Sequence, residues 1–291
     1  MPWQPHVSIV VAVYNGAETV DACIRSLRAL EYPGPTPELI VVDNGSTDGT
    51  RAILDRHRER IVVVHEPKRG ASAARNRGIG QARGDVVVFT DADCVVDPAW
   101  LWRLVEPLQD PGVGIAGGTI RAREPRTVVT LFGERIHDHR RAMQEYQPGY
   151  AITMSWASRR DLLLRLGGFD EVFLRGQDVD LAYRIQQAGY SLAFVPDAVV
   201  HHHNERTLRG LFQEGFLHGV YGVLTVKTHQ AFVTAHGYRR LNPRAFRRVA
   251  RSVARAVRAR RESVEVCECV FLLGKQMGRI AGSFRFRYVD L

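Results

Sequence analysis

Two aspartates separated by one residue, Asp91 and Asp93, directly follow an apolar run. The run, residues 86–89, is rich in β-branched side chains and predicts a buried strand. Paired carboxylates at a strand end suit a hard divalent cation such as Mn2+ or Mg2+, which takes oxygen ligands and completes its shell with substrate phosphates. Because loops are rich in aspartate, a solvated turn is the alternative for this pair taken alone.

A third carboxylate, Asp43, ends another β-branched run and precedes the polar stretch 44–50. A carboxylate at the mouth of a sheet could accept hydrogen bonds from a base or a ribose. The local alternative is a tight turn followed by a helix cap, with Ser46 or Thr47 as the N-cap residue.

Short apolar runs alternate with helical patterns over the first hundred residues. Strands are predicted at Val7–Val13, 39–43, 61–65 and 85–90, and helices at 19–30, 47–57 and 71–82. This order predicts a parallel sheet with right-handed crossovers. In such sheets ligands bind beyond the carboxyl ends of the strands. The polar residues Tyr14, Asp43 and Asp91 follow such strands, so we expect them at one edge of the sheet.

The pattern after Asp93 is looser. Helices are predicted at 98–109 and 178–188, a mobile or helical excursion at 127–146, and strands at 113–120, 152–157, 192–195 and 198–202. Residues 207–291 are mostly helical. We therefore predict an α/β domain over residues 1–206 and a helical C-terminal region over 207–291.

The composition is that of a globular protein. The 291 residues are 45% hydrophobic and 24% charged, which excludes disorder, collagen-like repeats and coiled coil. No apolar run approaches the roughly 18 residues of a membrane span, and no Lys or Arg precedes the first apolar run, so no signal peptide is expected. The four cysteines form no metal-binding pattern, which fits a reduced cytoplasmic location.

The net charge of +9 is concentrated near the C-terminus. Residues 215–261 hold eleven Lys or Arg and no Asp or Glu. Within them Phe246, Val249, Val253 and Val257 recur at helical spacing beside a face of arginines. A basic amphipathic helix of this kind predicts contact with an anionic membrane surface. The alternative is an apolar stripe that packs on its own domain. Nucleic acid is disfavoured as a partner, because no aromatic interleaving or nucleic-acid module accompanies the arginines.

Six ordered motifs between residue 7 and about residue 205 resemble glycosyltransferase family 2. They are SIVVAVYN at 8–15, VDNGSTD at 42–48, RN at 75–76, TDAD at 90–93, GGFDE at 167–171 and GQDVDLAYR at 176–184. The resemblance implies the GT-A fold, a Rossmann-like sheet with helices on both faces that binds a nucleotide sugar. It also implies metal-assisted transfer of the sugar to a hydroxyl acceptor with inversion.

The resemblance carries over roles for the nucleotide and the metal. It implies that Ala12 and Tyr14 line the base pocket, that Asp43 binds the base and that Arg75 lies beside the nucleotide. Asp91 and Asp93 would hold ribose, metal and diphosphate, with Asp93 the direct ligand. The family often places a histidine near the metal at the end of the last strand. Among His201, His202 and His203, the spacing from Pro196 favours His202.

The resemblance also implies a catalytic base and an acceptor side. Asp178 matches the family's general base, and it opens a predicted helix whose dipole favours the ionised carboxylate; a plain helix cap is the alternative. Gln177 stands where the family usually has glutamate, and it can bind an acceptor hydroxyl without a charge. Trp156 could stack on a sugar acceptor, or be a core tryptophan.

Residues 112–117 fit the GxGxxG dinucleotide fingerprint, but a predicted helix precedes them and an extended segment follows. A nicotinamide-dependent dehydrogenase is therefore disfavoured. The other rival is an inactive nucleotide-sugar-binding relative that serves as a partner protein, which only Gln177 supports.

For an active enzyme we expect a UDP-, GDP- or dTDP-sugar donor. If the arginine helix binds a membrane, we expect a peripheral location at its inner face and a glycan or lipid-linked acceptor of the cell envelope. Helical C-terminal regions often pair, so a homodimer is also expected.

Overall fold

The computed structural model describes residues 3–124, 126–204, 207–240, 243–260 and 263–290, with the backbone alone for 243–245. The chain divides into two compact units. Unit 1 comprises Met1–Arg123 and Asp138–His202, and unit 2 comprises Glu124–His137 and His203–Leu291. The boundary expected between residues 206 and 207 directly follows positions 205 and 206, which lie outside the described residues. The segment Glu124–His137, expected in the α/β domain, belongs to unit 2.

The elements follow the chain in an alternating order and then become helical. The strands are β1 (Val7–Val13), β2 (Glu38–Asp43), β3 (Val62–His65), β4 (Val86–Asp91), β5 (Cys94–Val96), β6 (Val113–Ala122), β7 (Trp156–Arg159) and β8 (Ser191–His202). The helices are α1 (Val20–Arg28), α2 (Thr50–Arg56), α3 (Ala71–Gln81), α4 (Trp100–Val105), α5 (Val128–Ile136), α6 (His139–Gln144), α7 (Arg160–Arg165), α8 (Gln177–Gln187), α9 (Leu208–Thr228), α10 (Gln230–Ala235), α11 (Pro243–Arg258) and α12 (Val264–Phe286). Two short 3-10 helices lie at Glu106–Gln109 and Thr153–Ser155.

One sheet with the strand order β3-β2-β1-β4-β7-β6-β8-β5 forms the centre of unit 1. The first four strands are parallel, as the alternating pattern predicts. β7 then pairs antiparallel with both β4 and β6, and β5 pairs antiparallel with β8. The sheet is therefore mixed. β5 has only three residues, too few for a periodic signal in the sequence.

Alternating side chains of the central strands fill two separate cores. In β1, Ile9 and Val11 pack with side chains of α1 and α4, whereas Val10 packs with side chains of α3 and α8. Because successive side chains of a strand point to opposite faces, these two cores lie on opposite sides of the sheet. The prediction of helices on both faces is confirmed.

Several boundaries differ from the sequence-based prediction for local reasons. The two strands expected at 192–195 and 198–202 are the single strand β8. Its register against β6 shifts between Gly118 and Thr119, and such an irregularity accommodates Pro196. The strand expected from residue 152 begins at Trp156, because a 3-10 helix precedes it. The excursion at 127–146 consists of α5 and α6.

Unit 2 is built on the pair α9 and α12. Glycines of each helix face the backbone of the other: a Cβ on Gly219 would overlap the Lys275 carbonyl, and one on Gly278 would overlap the Phe216 carbonyl. Phe132 of α5, Leu211 of α9 and Cys267 of α12 form a small core. In the part of the chain that the structure describes, none of the helices has the length and apolar character needed to cross a bilayer.

Candidate active site

The carboxyl ends of β2, β1 and β4 lie side by side and carry two of the predicted carboxylates. In the strand register Asp43 stands beside Val13, and Asp91 stands beside Ala12. Since neighbouring strands are about 4.8 Å apart, β1 separates the two residues by roughly 10 Å. Ala12 lies between them, partly buried.

Asp43 is buried and held in one orientation by two donors. Its Oδ1 accepts a hydrogen bond from the Ser46 backbone N–H at 2.9 Å, and its Oδ2 accepts one from Arg51 Nε at 2.8 Å. Burial raises the pKa of Asp43, but the hydrogen bonds from Ser46 and Arg51 outweigh it and hold the pKa below its ordinary value. Asp43 is therefore an ionised acceptor at the strand end.

The expected cap by Ser46 or Thr47 is wrong. α2 begins at Thr50, with Gly49 as its N-cap residue and no side-chain cap. Residues 46 and 47 instead bind Asn15 at the end of β1: Ser46 Oγ accepts from the Asn15 N–H at 3.0 Å, and Asn15 Oδ1 accepts from the Thr47 N–H at 2.8 Å. Asn15 has φ 50°, a left-handed conformation that asparagine tolerates. These bonds tie the loops after β1 and β2 together.

Tyr14 is half exposed, at 49% of its residue area, and carries a cation on its ring. The Arg69 guanidinium lies 3.9 Å from the ring centroid, and its Nη2 donates to Tyr14 Oη at 2.8 Å. A planar ring with a guanidinium beside it is a surface that suits a nucleobase or a phosphate. Sequence reasoning missed Arg69. Its only signal is the position of a basic pair, Lys68 and Arg69, just after β3.

Arg75 of α3 reaches the end of β4. Its Nη2 donates to Asp91 Oδ1 at 2.6 Å, and its side chain is 5% exposed. The Nη1 atom of the same guanidinium is buried and has no hydrogen-bond partner among the described residues. A buried cationic donor without an acceptor is costly, so this atom points to an oxygen-bearing ligand beside Asp91.

Asp93 lies next to His202, the histidine that sequence reasoning favoured. The antiparallel pairing of β5 with β8 sets Cys94 opposite His202, and His202 Nε2 is 3.4 Å from Asp93 Oδ2. His201 faces away from this pair, with its Nε2 3.0 Å from Asp97 Oδ1. Asp93 and His202 therefore present one oxygen and one nitrogen donor to the same space.

This donor pair can be tested for its fit to a cation. Within the described ranges, no group of three or more His, Cys, Asp or Glu side chains is arranged to hold a metal ion. Mg2+ and cations like it are commonly held by one or two carboxylates, with substrate phosphates and waters as the other ligands. Asp93 with His202 fits a cation that is bound together with a diphosphate.

The loop that leads to Asp178 is fastened to α3, the helix of Arg75. Asn76 Nδ2 donates to the Phe169 carbonyl at 2.8 Å, and the Phe169 N–H donates to Asn76 Oδ1 at 2.8 Å. Hydrogen bonds from Lys68 and Asn76 also hold the pKa of Glu171 below its ordinary value. The GGFDE motif at 167–171 thus ties the loop that precedes α8 to α3.

Asp178 and Gln177 form the first turn of α8, which follows Gly176 at φ 72°. Asp178 is partly buried, and its Oδ1 accepts a hydrogen bond from the Val179 N–H at 2.9 Å. The free N–H groups of a helix N-terminus favour an ionised carboxylate there. Gln177 is buried, and its Oε1 has no hydrogen-bond partner among the residues that the structure describes.

Trp156 is a core residue, the second of the two interpretations that its sequence position allows, and not an exposed stacking surface for an acceptor. The side chain is fully buried, its Nε1 donates to Ser158 Oγ at 2.7 Å, and its ring packs on Phe169. The ring lies in the same core cluster as Phe89 and Leu163, so no ring face is left for a sugar.

The GxGxxG stretch has a packing role. Gly114 and Gly117 lie within β6, not in a turn that leads into a helix. A Cβ on Gly114 would meet Ile185 and Tyr190, so the glycine allows α8 to approach the strand. The dinucleotide fingerprint is therefore a coincidence of spacing.

Comparisons with known proteins agree with this architecture. Residues 8–167 match the model of glycosyl transferase family 2. The chain is 32% identical over 203 residues to glycosyltransferase AglE of Haloferax volcanii, which covers 67% of this chain and 66% of that protein. The chain spans between 45% and 66% of the length of this and three other curated relatives.

Two solved structures share the fold. Mannosyltransferase PcManGT from Pyrobaculum calidifontis, solved in complex with GDP-Man and Mn2+, gives a TM-score of 0.65 at 23% identity and covers 96% of this chain and 88% of its own. Glucosyl-3-phosphoglycerate synthase from Mycobacterium tuberculosis, solved with Mn2+, UDP and phosphoglyceric acid, gives a TM-score of 0.56 at 24% identity. The match covers 77% of this chain and 78% of that protein. Together with the match to its family model, the motifs and the mixed sheet identify this chain as a member of glycosyl transferase family 2.

Proposed function

We propose that this chain transfers a sugar from a nucleoside diphosphate sugar to a hydroxyl acceptor with inversion, assisted by a divalent cation. The observation that carries the proposal is the buried Arg75, which is paired with Asp91 on one side and has a donor without a partner among the described residues on the other. Asp43 ends β2 and Asp91 ends β4, the two strands that pair with β1 on either side. Asp93, with His202 beside it, follows two residues after Asp91.

The nucleotide is assigned to the strand-end residues. Asp43 and Ala12 would contact the base and Tyr14 would cover it, while Arg75 and Asp91 would take the ribose or the diphosphate. The ionised state of Asp43 and the unpartnered Nη1 of Arg75 support this assignment. The two solved relatives bind GDP-Man or UDP, and we propose a UDP-, GDP- or dTDP-sugar as the donor here.

Asp93 and His202 would hold Mn2+ or Mg2+ through one oxygen and one nitrogen. Asp91, the first aspartate of the TDAD motif at 90–93, would contribute a further oxygen. When bound, the cation neutralises charge on the departing diphosphate without a proton transfer. Both solved relatives were crystallised with Mn2+.

Asp178 is the proposed general base. Its carboxylate would accept the proton of the acceptor hydroxyl from within about 3 Å, on the face of the sugar opposite the diphosphate. The acceptor oxygen then forms a bond to the anomeric carbon as the bond to the diphosphate breaks, which inverts the configuration. The buried Oε1 of Gln177 would accept a hydrogen bond from another acceptor hydroxyl.

Replacing Asp178 with Asn tests the base directly. We expect transfer, or hydrolysis of the donor, to fall roughly 10²- to 10⁴-fold, with nucleotide affinity unchanged. The exposed Asp161→Asn, also near a helix start, is the matched control and should keep full activity. Transfer by Asp178→Asn at the wild-type rate would rule out the base assignment. A wild-type chain that binds a nucleotide sugar and turns over none would favour the inactive relative.

We also propose that α11 attaches the enzyme to an anionic membrane at its cytoplasmic face, where a glycan or lipid-linked precursor of the cell envelope would be the acceptor. Support comes from its apolar stripe, which is not packed away: Phe246 is 48% and Val257 is 80% exposed. A homodimer through the C-terminal helices is the remaining proposal about assembly, and nucleic acid is not a proposed partner.

A further inference from the structure

The outward face of α12 carries a continuous apolar stripe that the sequence analysis did not single out. Leu273, Met277, Ile280 and Phe284 recur at intervals of four, three and four residues. They are 37%, 53%, 42% and 81% exposed. Eleven residues of helix place these side chains along about 16 Å of one face. Contiguous exposed apolar surface of this kind marks a site of interaction.

The packing of α12 fixes which face points outward. Gly274, Gly278 and Gly282 lie against the backbone of α9, where a Cβ would overlap the carbonyl oxygen of Phe212 or Phe216 or crowd that of Val220. Rotating α12 to bury the stripe would bring larger side chains into this contact. The stripe is therefore held on the surface of unit 2 by backbone packing.

The helix next to α12 supplies positive charge. α11 has six arginines and no acidic residue. Arg248 and Arg255 pair with Glu268 of α12 at 3.4 and 3.0 Å, which ties the two helices together. Together with Arg251, Arg258 and Ala254, they line a groove of about 530 Å³. The exposed Phe246, Val253 and Val257 lie on the other side of α11.

We propose that the α12 stripe enters the headgroup–acyl boundary of an anionic bilayer while the arginines of α11 bind lipid phosphates. Exposed apolar side chains next to a basic helix are features of surfaces that lie in a membrane interface. The bilayer is favoured as the occupant of this stripe because residues 215–261 carry eleven basic and no acidic side chains, which suits an anionic surface. This surface deepens the membrane attachment proposed for α11 and rests on it, but it is independent of sugar transfer.

The test uses co-sedimentation of the full chain with vesicles of phosphatidylcholine, with and without phosphatidylglycerol. We expect Met277→Ser/Phe284→Ser to weaken binding to the anionic vesicles by roughly tenfold to a hundredfold. Leu164→Ser/Val172→Ser changes two exposed apolar side chains of unit 1 and should bind like wild type. Arg251→Gln/Arg258→Gln should weaken binding to anionic vesicles only. Equal binding by the stripe variant and wild type would overturn the proposal.

The variant Phe284→Trp tests directly whether the α12 stripe inserts into the bilayer. The native tryptophans, at 3, 100, 102 and 156, all belong to unit 1, so bromine-labelled lipids should quench the added fluorescence of residue 284. A vesicle-bound Phe284→Trp chain without added quenching would refute insertion. If sedimentation velocity showed a dimer for the wild type and a monomer for Met277→Ser/Phe284→Ser, and the variant still bound vesicles, the stripe would be assigned to a second copy instead. Nucleotide binding, measured on every variant, separates failure of this surface from failure of the proposed enzyme site.

Discussion

At the scale of single residues, the candidate site depends on charged groups that unit 1 buries or half-buries at strand ends. Arg75 and Asp43 differ in whether all of their polar side-chain atoms have hydrogen-bond partners within the described residues. Both oxygens of Asp43 accept hydrogen bonds within the chain, whereas Arg75 keeps one buried nitrogen without a partner among the described residues. Asp43 should therefore contribute to folding as well as to binding, and Arg75 should contribute mainly to binding.

Replacing Arg75 with Met should weaken the binding of the nucleoside diphosphate by about tenfold or more, because a charged hydrogen bond is worth about 1.5–3 kcal/mol. Folding should be affected less, since Met fills a similar volume and the unpartnered nitrogen is removed. Arg77→Met, an exposed position on the same helix, is the matched control. Calorimetric titration measures both variants. Wild-type affinity in Arg75→Met would contradict the role of this guanidinium.

The lowered pKa of Asp43 leads to a prediction about how the free energy of unfolding depends on pH. Its pKa in the folded chain lies below the ordinary value, so it stabilises the fold at pH above that ordinary value, and this contribution is lost as pH falls through the lowered pKa. Asp43→Asn should therefore reduce the free energy of unfolding by about 1–3 kcal/mol at neutral pH, and the difference from wild type should shrink in acid. Urea unfolding across a pH series measures it. A difference that grows on acidification would contradict the ionised state assigned to Asp43.

At the scale of elements, close backbone packing decides what each helix exposes. α9 and α12 meet through glycines at 215, 219, 274, 278 and 282, each close to a carbonyl of the other helix. This contact leaves the opposite face of α12 at the surface. Gly222 of α9 is different, because no other described element has an atom within 4 Å of the position that a Cβ would take there. This glycine therefore takes no part in the contact.

Gly278→Val should destabilise unit 2 by about 3 kcal/mol or more, because the added side chain collides with a backbone oxygen that cannot rotate away. Gly222→Ala should be neutral or stabilise by up to about 1 kcal/mol, since alanine is the better helix former. Thermal or urea unfolding of the two variants gives the comparison. Equal stabilities would show that α9 and α12 are not in backbone contact.

The sequence alone predicts the elements formed by local patterns, but not the features that depend on partners distant in the chain. The alternation of β-branched runs with helical patterns suffices for β1 to β4, and the strand-end rule places Asp43 and Asp91 at one edge. The burial of Trp156 could not be predicted, because it depends on the insertion of β7 between β4 and β6, strands distant in sequence. Arg69 and the outward face of α12 were missed for the same reason: each is defined by a partner far along the chain, Tyr14 or α9.

At the scale of the whole molecule, the charge is divided between the ends of the chain. Residues 215–261 carry eleven basic side chains and no acidic ones, while the rest of the chain is close to neutral. The carboxylates proposed for nucleotide and metal all belong to unit 1, and the exposed arginines of α11 belong to unit 2. Donor binding and membrane binding are therefore expected to respond to separate substitutions.

The central claim is that one site at the strand ends binds a nucleoside diphosphate together with a cation. Calorimetric titration of UDP, GDP, dTDP and NAD into the chain, with and without Mn2+, tests it most directly. We predict that one of the three diphosphates binds, that Mn2+ strengthens its binding, and that Asp93→Asn removes the effect of Mn2+ while Asp161→Asn does not. Binding of NAD alone, or diphosphate binding that is indifferent to both Mn2+ and Asp93, would contradict it.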